Sequence, residues 1–324
     1  MMILLILLAC SDYGLNGQPE QETPAPPRDL TPKSTTDVTH QRPLATEVDV
    51  LWVIDDSCSM EDDQASLVAA FPAFMDFFIE IGLDYHIGVV STDMSAEDGQ
   101  GRLQEAEGYK WIDPTFPDPI PFFQFMATLG TGGSGDEMAR APVYHAIATQ
   151  TEWNAGFFRD TSILSTIVIS DEDDSSDQAG VSIPDFVSWY RTAIKPDPEL
   201  AIYSTIVGPT PDGCATAVPG TQHVDATSQI GGLTWSICDN RWDELLEELA
   251  IQSAGLKREF YLTETPIASS LDVEVEEDGA FVGFDQDRDY SYDAGRNSIT
   301  FLTYVPQPNA EIHITYAVAG SVEG

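Results

Sequence analysis

Two carboxylate and two hydroxyl side chains lie close together in the short segment Asp-Asp-Ser-Cys-Ser at residues 55–59. A mostly apolar, β-branched run at residues 48–54 precedes this segment, and apolar residues at helical spacing follow it. Oxygen atoms on a loop between a strand and a helix are ligands that hard divalent cations prefer. Asp55, Ser57 and Ser59 are therefore candidate metal ligands. Capping of the following helix is the competing interpretation, because Ser and Asp accept hydrogen bonds from free helical N–H groups.

A further carboxylate, Asp171, ends another apolar run at residues 162–170 and begins a dense acidic loop. Apolar, β-branched runs of this kind are typical of strands buried inside a parallel sheet. Ligands bind such sheets at the carboxyl edge, where the strand ends meet. We therefore expect Asp55 and Asp171 to lie at the same edge of one sheet.

The wider pattern alternates strands with helices. Strands are predicted at residues 48–55, 85–91, 162–171, 201–208 and 233–237, and helices at 61–81, 136–150, 183–194 and 242–252. This alternation predicts an α/β fold with a doubly wound, mostly parallel sheet flanked by helices. The domain would span residues 46–256, with an irregular insertion at 94–130. Beyond it, alternating apolar and polar residues predict a small antiparallel β domain at 257–324.

The order of strand, Asp-x-Ser-x-Ser-Met and helix resembles the first loop of the metal-ion-dependent adhesion site of von Willebrand factor type A domains. Residues 167–171 resemble the family's apolar strand that ends in Thr-Asp or Ser-Asp. The glycine-rich residues 129–136 resemble the loop that supplies the family's metal-binding Thr. Counting back from the helix indicates Ser134 for that role, whereas Thr131 has the family's chemistry, and both stay open.

The resemblance covers residues 48–255 and implies one divalent cation as cofactor. Two serines and few carboxylates favour Mg²⁺ in such a site, with Ca²⁺ or Mn²⁺ as alternatives. In the family, an acidic group of the partner completes the coordination. This implies a non-enzymatic adhesion protein whose partner is a protein or glycan with an acidic residue.

Two other classes of function compete with adhesion. One is a scaffold or assembly factor in which the metal site is degenerate and the fold serves only for packing. The other is a metal-dependent hydrolase that uses the acidic loops to bind two cations. A hydrolase needs a general base and a second carboxylate cluster beside the first, and the sequence shows neither convincingly.

The charge of the chain narrows the range of partners. There are 54 Asp and Glu residues against 14 Lys and Arg, which gives a net charge of −40. So acidic a surface repels nucleic-acid phosphates and anionic lipid headgroups, and we expect neither as a partner. Most of this charge is interpreted as a solvated surface that holds water and ions.

The first ten residues form an apolar run that ends in Leu-Leu-Ala-Cys. They are too few to span a bilayer, and they resemble the signal peptide and lipidation site of bacterial lipoproteins, with Cys10 as the lipidated residue. Residues 11–45 are rich in Pro, Thr and Gln and are predicted to be a disordered tether. The resemblance implies an exported protein held in the outer membrane by a lipid anchor alone, facing the periplasm or the cell surface.

Export permits disulfide bonds. Cys214 and Cys238 lie in one loop-rich region and are the favoured pair, which leaves Cys58 over. Pairing with Cys58 stays open, because connectivity does not follow from sequence.

Overall fold

A computed structural model describes residues 31–96 and 99–319. The predicted signal peptide, Cys10 and residues 11–30 of the predicted tether lie outside the described residues. The strands in the described part are β1 (Lys33–His40), β2 (Glu47–Ile54), β3 (Asp84–Ser91), β4 (Ile163–Ser170), β5 (Ala201–Val207), β6 (Thr234–Ser236), β7 (Glu259–Tyr261), β8 (Asp272–Glu277), β9 (Ala280–Phe284), β10 (Tyr290–Asp293), β11 (Ser298–Phe301) and β12 (Glu311–Val318). The helices are α1 (Glu61–Ile81), α2 (Pro119–Ala127), α3 (Arg140–Ala148), α4 (Ile183–Ala193), α5 (Thr221–Ile230) and α6 (Trp242–Ser253).

Five parallel strands form the central sheet, in the order β3-β2-β4-β5-β6. β4 and β5 are buried along their whole length, and β2 is buried after its first residue, as expected for central strands covered on both faces. Ile54 is paired with Ser91 of β3 and with Ile169 of β4. The three strands therefore end at nearly the same level, and the residues that follow them meet at one edge.

Helices cover the sheet on both sides. Val50, Trp52 and Ile54 of β2 join a core cluster with α1, α2 and α6. Leu51 and Val53 join a second cluster with α3, α4 and α5. Since successive side chains of a strand point to opposite faces, the two clusters lie on opposite faces of the sheet. The predicted α/β fold with a parallel sheet flanked by helices is confirmed.

Helix α1 is unusually apolar because it packs against the face of the sheet that Trp52 of β2 occupies. Among the described residues it is the helix whose length and apolarity would suit a membrane span. Its residues Leu67, Phe71 and Phe74 are nevertheless fully buried. The rings of Phe71 and Phe74 meet Trp52 edge to face, with centroids 6.5 and 5.4 Å apart. The apolar character of α1 therefore serves the core beneath β2.

Two predicted boundaries are corrected. The insertion at residues 94–130, predicted to be irregular, contains α2, whose first turn accepts Pro because the first helical N–H groups lack partners anyway. The helix predicted at 136–150 begins only at Arg140, which puts Pro142 in its first turn. The residues before Arg140 instead form part of a loop at the carboxyl edge.

The remaining strands form two antiparallel sheets, in the orders β1-β12-β8-β9 and β10-β11-β7. Alternate residues of β8, β11 and β12 share a third core cluster, which includes Val273, Ile299 and Ile312. Antiparallel strands were predicted for this part of the chain and are present. We call these two sheets together the β unit.

The predicted tether is corrected at its C-terminal end. Residues 33–40 are not a linker but strand β1, which pairs with β12 along its whole length. The carboxylate of Asp37 accepts hydrogen bonds from Tyr316 Oη at 2.6 Å and from the Thr263 N–H at 2.8 Å. A polar strand at a sheet edge resembles a linker in composition. Its pairing partner lies at the distant end of the chain, so no local pattern indicates the strand.

We expect β1 to be required for the stability of the β unit. A chain shortened to begin at Ala45 exposes the edge of β12 and loses the bonds of Asp37. Its thermal midpoint should fall by at least about 5 °C relative to a chain that begins at Thr31, and soluble aggregates should increase. Differential scanning calorimetry and size-exclusion chromatography of the two chains measure both effects, and equal midpoints would show that β1 is dispensable.

Candidate metal centre

The carboxylate of Asp55 is fully buried at the end of β2. Its Oδ1 atom accepts a hydrogen bond from the Ser57 N–H at 2.8 Å, and its Oδ2 atom accepts one from Ser170 Oγ at 2.6 Å. The backbone N–H of Asp55 donates to the carbonyl of Ile169 at 3.0 Å. Strands β2 and β4 together therefore fix the orientation of this carboxylate.

The two serine hydroxyls lie beside it. Ser57 Oγ and Ser59 Oγ are 3.2 Å apart, with Ser57 buried and Ser59 exposed. Helix α1 begins after Met60, and no side-chain hydrogen bond caps its start. The capping interpretation is therefore wrong, and both hydroxyl oxygens remain able to accept another ligand.

Asp171 follows β4 at the same edge, as predicted. It is only 5% exposed, and its Oδ1 atom has no hydrogen-bond partner in the described part of the chain. Burial raises the pKa of Asp171, a hydrogen bond from Ser59 opposes the rise, and the nearby charge of Asp55 adds to it. A buried carboxylate oxygen without a donor is costly, and a cation would offset that cost.

Glu137 also reaches this cluster, although sequence reasoning missed it. Its side chain is 1% exposed, Thr92 Oγ1 donates a hydrogen bond to Oε2, and Oε1 has no partner among the described residues. Burial raises the pKa of Glu137 to about 9, and the charge of Asp55 contributes to the rise. The available signal was an acidic residue directly after the glycine-rich segment, where only a hydroxyl was sought.

The two hydroxyl candidates of that segment lie farther out. Thr131 is exposed, and Ser134 Oγ accepts a hydrogen bond from the Asp136 N–H at 3.0 Å. Among the described residues, neither side chain is hydrogen-bonded to Asp55 or Asp171. Within this loop, the structure brings the carboxyl group of Glu137 to the cluster.

Backbone contacts hold the glycine-rich loop against its neighbours. The Gly133 N–H donates to the carbonyl of Asp56 at 2.9 Å, and the backbone of Ser134 donates to the carboxylate of Asp93. A Cβ atom at Gly133 would collide with the Asp56 side chain. Glycine is required here because the loop approaches the end of β2 so closely.

A buried ion pair joins this loop to the acidic loop after β4. Arg140 is fully buried, and its Nε donates to Asp174 Oδ2 at 2.7 Å. Asp174 Oδ1 also accepts from the Ala139 N–H at 3.0 Å and the Ser176 N–H at 2.9 Å. These bonds position Glu137 and Asp171 relative to each other.

The carboxylates at this edge repel one another. Burial, together with the charges of Asp171, Asp62 and Asp55, raises the pKa of Asp63 to about 6. Burial and neighbouring acids also raise the pKa of Glu172. The described residues contain no group of three or more Asp, Glu, His or Cys side chains arranged to hold an ion by themselves. A cation here would therefore need the serine hydroxyls as well as carboxylates.

A disulfide-closed loop forms the rim of this edge. Cys214 and Cys238 are bonded, as predicted, and Cys58 is free and exposed. The Val218 N–H in the same loop donates to the carbonyl of Asp171 at 2.9 Å, while the Val218 side chain is 50% exposed. The disulfide thus anchors a segment that presents an apolar side chain next to the cluster.

No protein-family model matches the chain, and no curated protein matches it in sequence. Solved structures that align with the chain include a von Willebrand factor type A protein from Catenulispora acidiphila, at 12% identity and a TM-score of 0.44, covering 91% of this chain and 67% of that one. The pilus adhesin SpaC from Lactobacillus rhamnosus GG aligns at 10% identity and a TM-score of 0.43, covering 90% and 42%. The pilus adhesin RrgA from Streptococcus pneumoniae aligns at 8% identity and a TM-score of 0.35, covering 90% and 59%. This chain thus spans about half the length of the two adhesins, and these similarities assign no role to any residue.

The Arg140–Asp174 pair should make stability at this edge depend on pH, with a sign opposite to that of the carboxyl groups whose pKa is raised. Burial works to raise the pKa of Asp174, but the positive charges of His223 and Arg140 and donated hydrogen bonds bring it below its ordinary value. Burial lowers the pKa of His223, so at pH 7 the positive charge that stabilises the Asp174 carboxylate is that of Arg140. Because the pKa of Asp174 is lower in the folded protein than in the unfolded chain, where it is about 4, its ionised form stabilises the fold above about pH 4. This stabilisation is lost as the pH falls through the pKa of the folded protein.

We therefore expect Asp174→Asn to lower the free energy of unfolding by about 3 kcal/mol at pH 7, because Arg140 is left buried without its partner. The difference from wild type should shrink below about pH 4. Urea unfolding at pH 7 and pH 3.5 measures it. Asp177→Asn is the matched control, since that exposed partner of Arg140 should contribute less than about 1 kcal/mol. Equal losses in the two variants would contradict a dominant role for the buried pair.

Proposed function

We propose that the α/β domain is a von Willebrand factor type A module that holds one divalent cation at the carboxyl edge of its sheet. The ligands would be Asp55, Ser57, Ser59 and Asp171, directly or through water, with Glu137 in the place for which Ser134 and Thr131 were candidates. The observation that carries the proposal is a pair of buried oxygens in the acidic cluster around Asp55, Asp171 Oδ1 and Glu137 Oε1, which have no hydrogen-bond partner among the described residues.

The donor set fits a hard cation. All of its atoms are hydroxyl or carboxylate oxygens, which Mg²⁺, Ca²⁺ and Mn²⁺ accept and softer metals favour less. Mg²⁺ is our first choice, with Ca²⁺ or Mn²⁺ as alternatives. A bound ion would offset the repulsion that raises the pKa of Glu137 and Asp171, and it would give this negative edge an attraction for an acidic group of another molecule.

We propose binding rather than catalysis. Ser59 is exposed and Val218 stands beside Asp171, so a partner could approach the ion and touch an apolar contact at once. The serine hydroxyls of the cluster are hydrogen-bonded to a carboxylate or to each other. The partner would be a protein or glycan that presents an acidic residue.

We further propose that the protein is exported and anchored through Cys10 in the bacterial outer membrane. The disulfide between Cys214 and Cys238 supports export, because such bonds persist in oxidising compartments. An anchor ahead of β1 would attach through the β unit, leaving the α/β domain to meet the partner.

Calorimetric titration of Mg²⁺, and then Ca²⁺, tests the metal site. At a salt concentration that suppresses diffuse binding to the acidic surface, wild type should show one saturable site per chain. Asp55→Ala should weaken that site by at least about 100-fold and Glu137→Gln by about tenfold. Asp62→Ala removes an exposed acid from the first turn of α1 and should leave the affinity unchanged.

Asp55→Asn keeps the volume of the side chain and separates loss of a ligand from loss of the fold, which thermal unfolding monitors. If wild type, Asp55→Ala and Asp62→Ala bind the ions equally weakly, the cluster is not a metal site. The fold would then serve a scaffold role.

A further inference from the structure

A cleft of about 660 Å³ lies at the end of the sheet opposite the candidate metal centre. Its walls include Ala201 at the start of β5, Leu233 just before β6, Gln252 near the end of α6 and Tyr261 of β7. The α/β domain and the β unit both contribute to it. Its volume lies in the range of sites that bind small molecules.

The cleft concentrates positive charge in a very acidic protein. Although the chain has a net charge of −40 and only 14 Lys and Arg residues, five of them line this one cleft. They are Arg42, Arg191, Lys257, Arg258 and Arg296. Within a Debye length of roughly 10 Å, these charges outweigh the distant carboxylates of the surface.

Ion pairs neutralise only part of this charge. The three glutamates of the lining each pair with one arginine: Glu199 with Arg42 at 3.0 Å, Glu248 with Arg258 at 3.0 Å, and Glu259 with Arg296 at 2.8 Å. Arg191 and Lys257 have no acidic partner within 4 Å in the described part of the chain. Two cations of the lining therefore take part in no direct ion pair among the described residues, although the charge of Glu199 acts on Lys257.

One further polar group in the lining, on Arg258, lacks a partner in the described part of the chain. Arg258 uses both terminal nitrogens for ion pairs with α6, but its Nε–H is buried and has no acceptor among the described residues. Partial burial lowers the pKa of Lys257, and the charge of Arg42 lowers it further. An anion in the cleft would supply the missing negative charge and acceptors.

We propose that this cleft binds a small anion that carries two or more carboxylate or phosphate groups. Arg191 and Lys257 provide charge that is not used in an ion pair. One terminal nitrogen of Arg191 donates to the Gln229 carbonyl at 2.9 Å, and its remaining N–H groups match carboxylate and phosphate oxygens. The aliphatic lining holds the body of the ligand. Because both the α/β domain and the β unit line the cleft, a bound anion would stabilise their contact.

Calorimetry on the full-length chain tests the proposal, with tricarballylate and inorganic pyrophosphate as probes in metal-free buffer. Wild type should bind at least one probe saturably, one per chain, and the probe that binds identifies carboxylate or phosphate recognition. Arg191→Gln combined with Lys257→Gln should weaken this binding by at least about tenfold. Lys33→Gln combined with Arg288→Gln makes the same charge change at exposed positions elsewhere and should leave it unchanged.

The exchange Arg191→Lys with Lys257→Arg keeps both charges and should retain binding. It distinguishes loss of charge from misfolding as the cause of weaker binding in the glutamine variant. Asp55→Ala should bind the anion like wild type, so the test of the anion cleft is independent of the test of the metal site. Absence of saturable binding of both probes to wild type would overturn the proposal. Equal binding by the two glutamine double variants would also overturn it, since the anion would then bind outside the cleft.

Discussion

A carboxylate buried at the end of a central strand is costly unless donors or a cation balance its charge. Asp55 stands in that position, and the surrounding structure compensates it with the Ser57 N–H and the Ser170 hydroxyl. Around it, burial and mutual repulsion raise the pKa of Asp171 and Glu137, so the local donors do not balance all the charge present. The loops after β2 and β4 and the glycine-rich loop before α3 therefore surround a group of carboxylates with excess negative charge.

The need to hold these carboxylates together also explains why the loops that carry them are firmly anchored. Repelling carboxylates stay together only if the loops that carry them are held from outside. The backbone bond from Gly133 to Asp56 and the buried Arg140–Asp174 pair provide that support. The opposite end of the sheet differs, since five Lys and Arg residues line the cleft beside the β unit and two of them have no acidic partner within 4 Å among the described residues. We therefore propose ligands of opposite charge for the two ends of the sheet.

The sequence predicted the α/β fold, because β2, β4 and β5 are apolar runs long enough to be distinguished from surface strands. It also predicted the favoured disulfide, and it placed Asp55 and Asp171 at the same edge, since parallel strands dictate where their ends meet. Strand β1 was missed because its polar residues resemble a linker, and its pairing with β12 depends on contacts between distant parts of the chain. Glu137 was missed because the family resemblance directed the search to a hydroxyl within the glycine-rich segment, whereas the inward-facing group is the acid that directly follows it.

The most direct test of the central claim is a crystal structure with Mn²⁺, in which anomalous scattering locates the ion without assumptions about its ligands. We predict one strong peak within coordination distance of Ser57 and Ser59, bordered by Asp55, Asp171 and Glu137. Manganese found only among exposed carboxylates elsewhere, with the cluster around Asp55 left without a peak, would contradict the account.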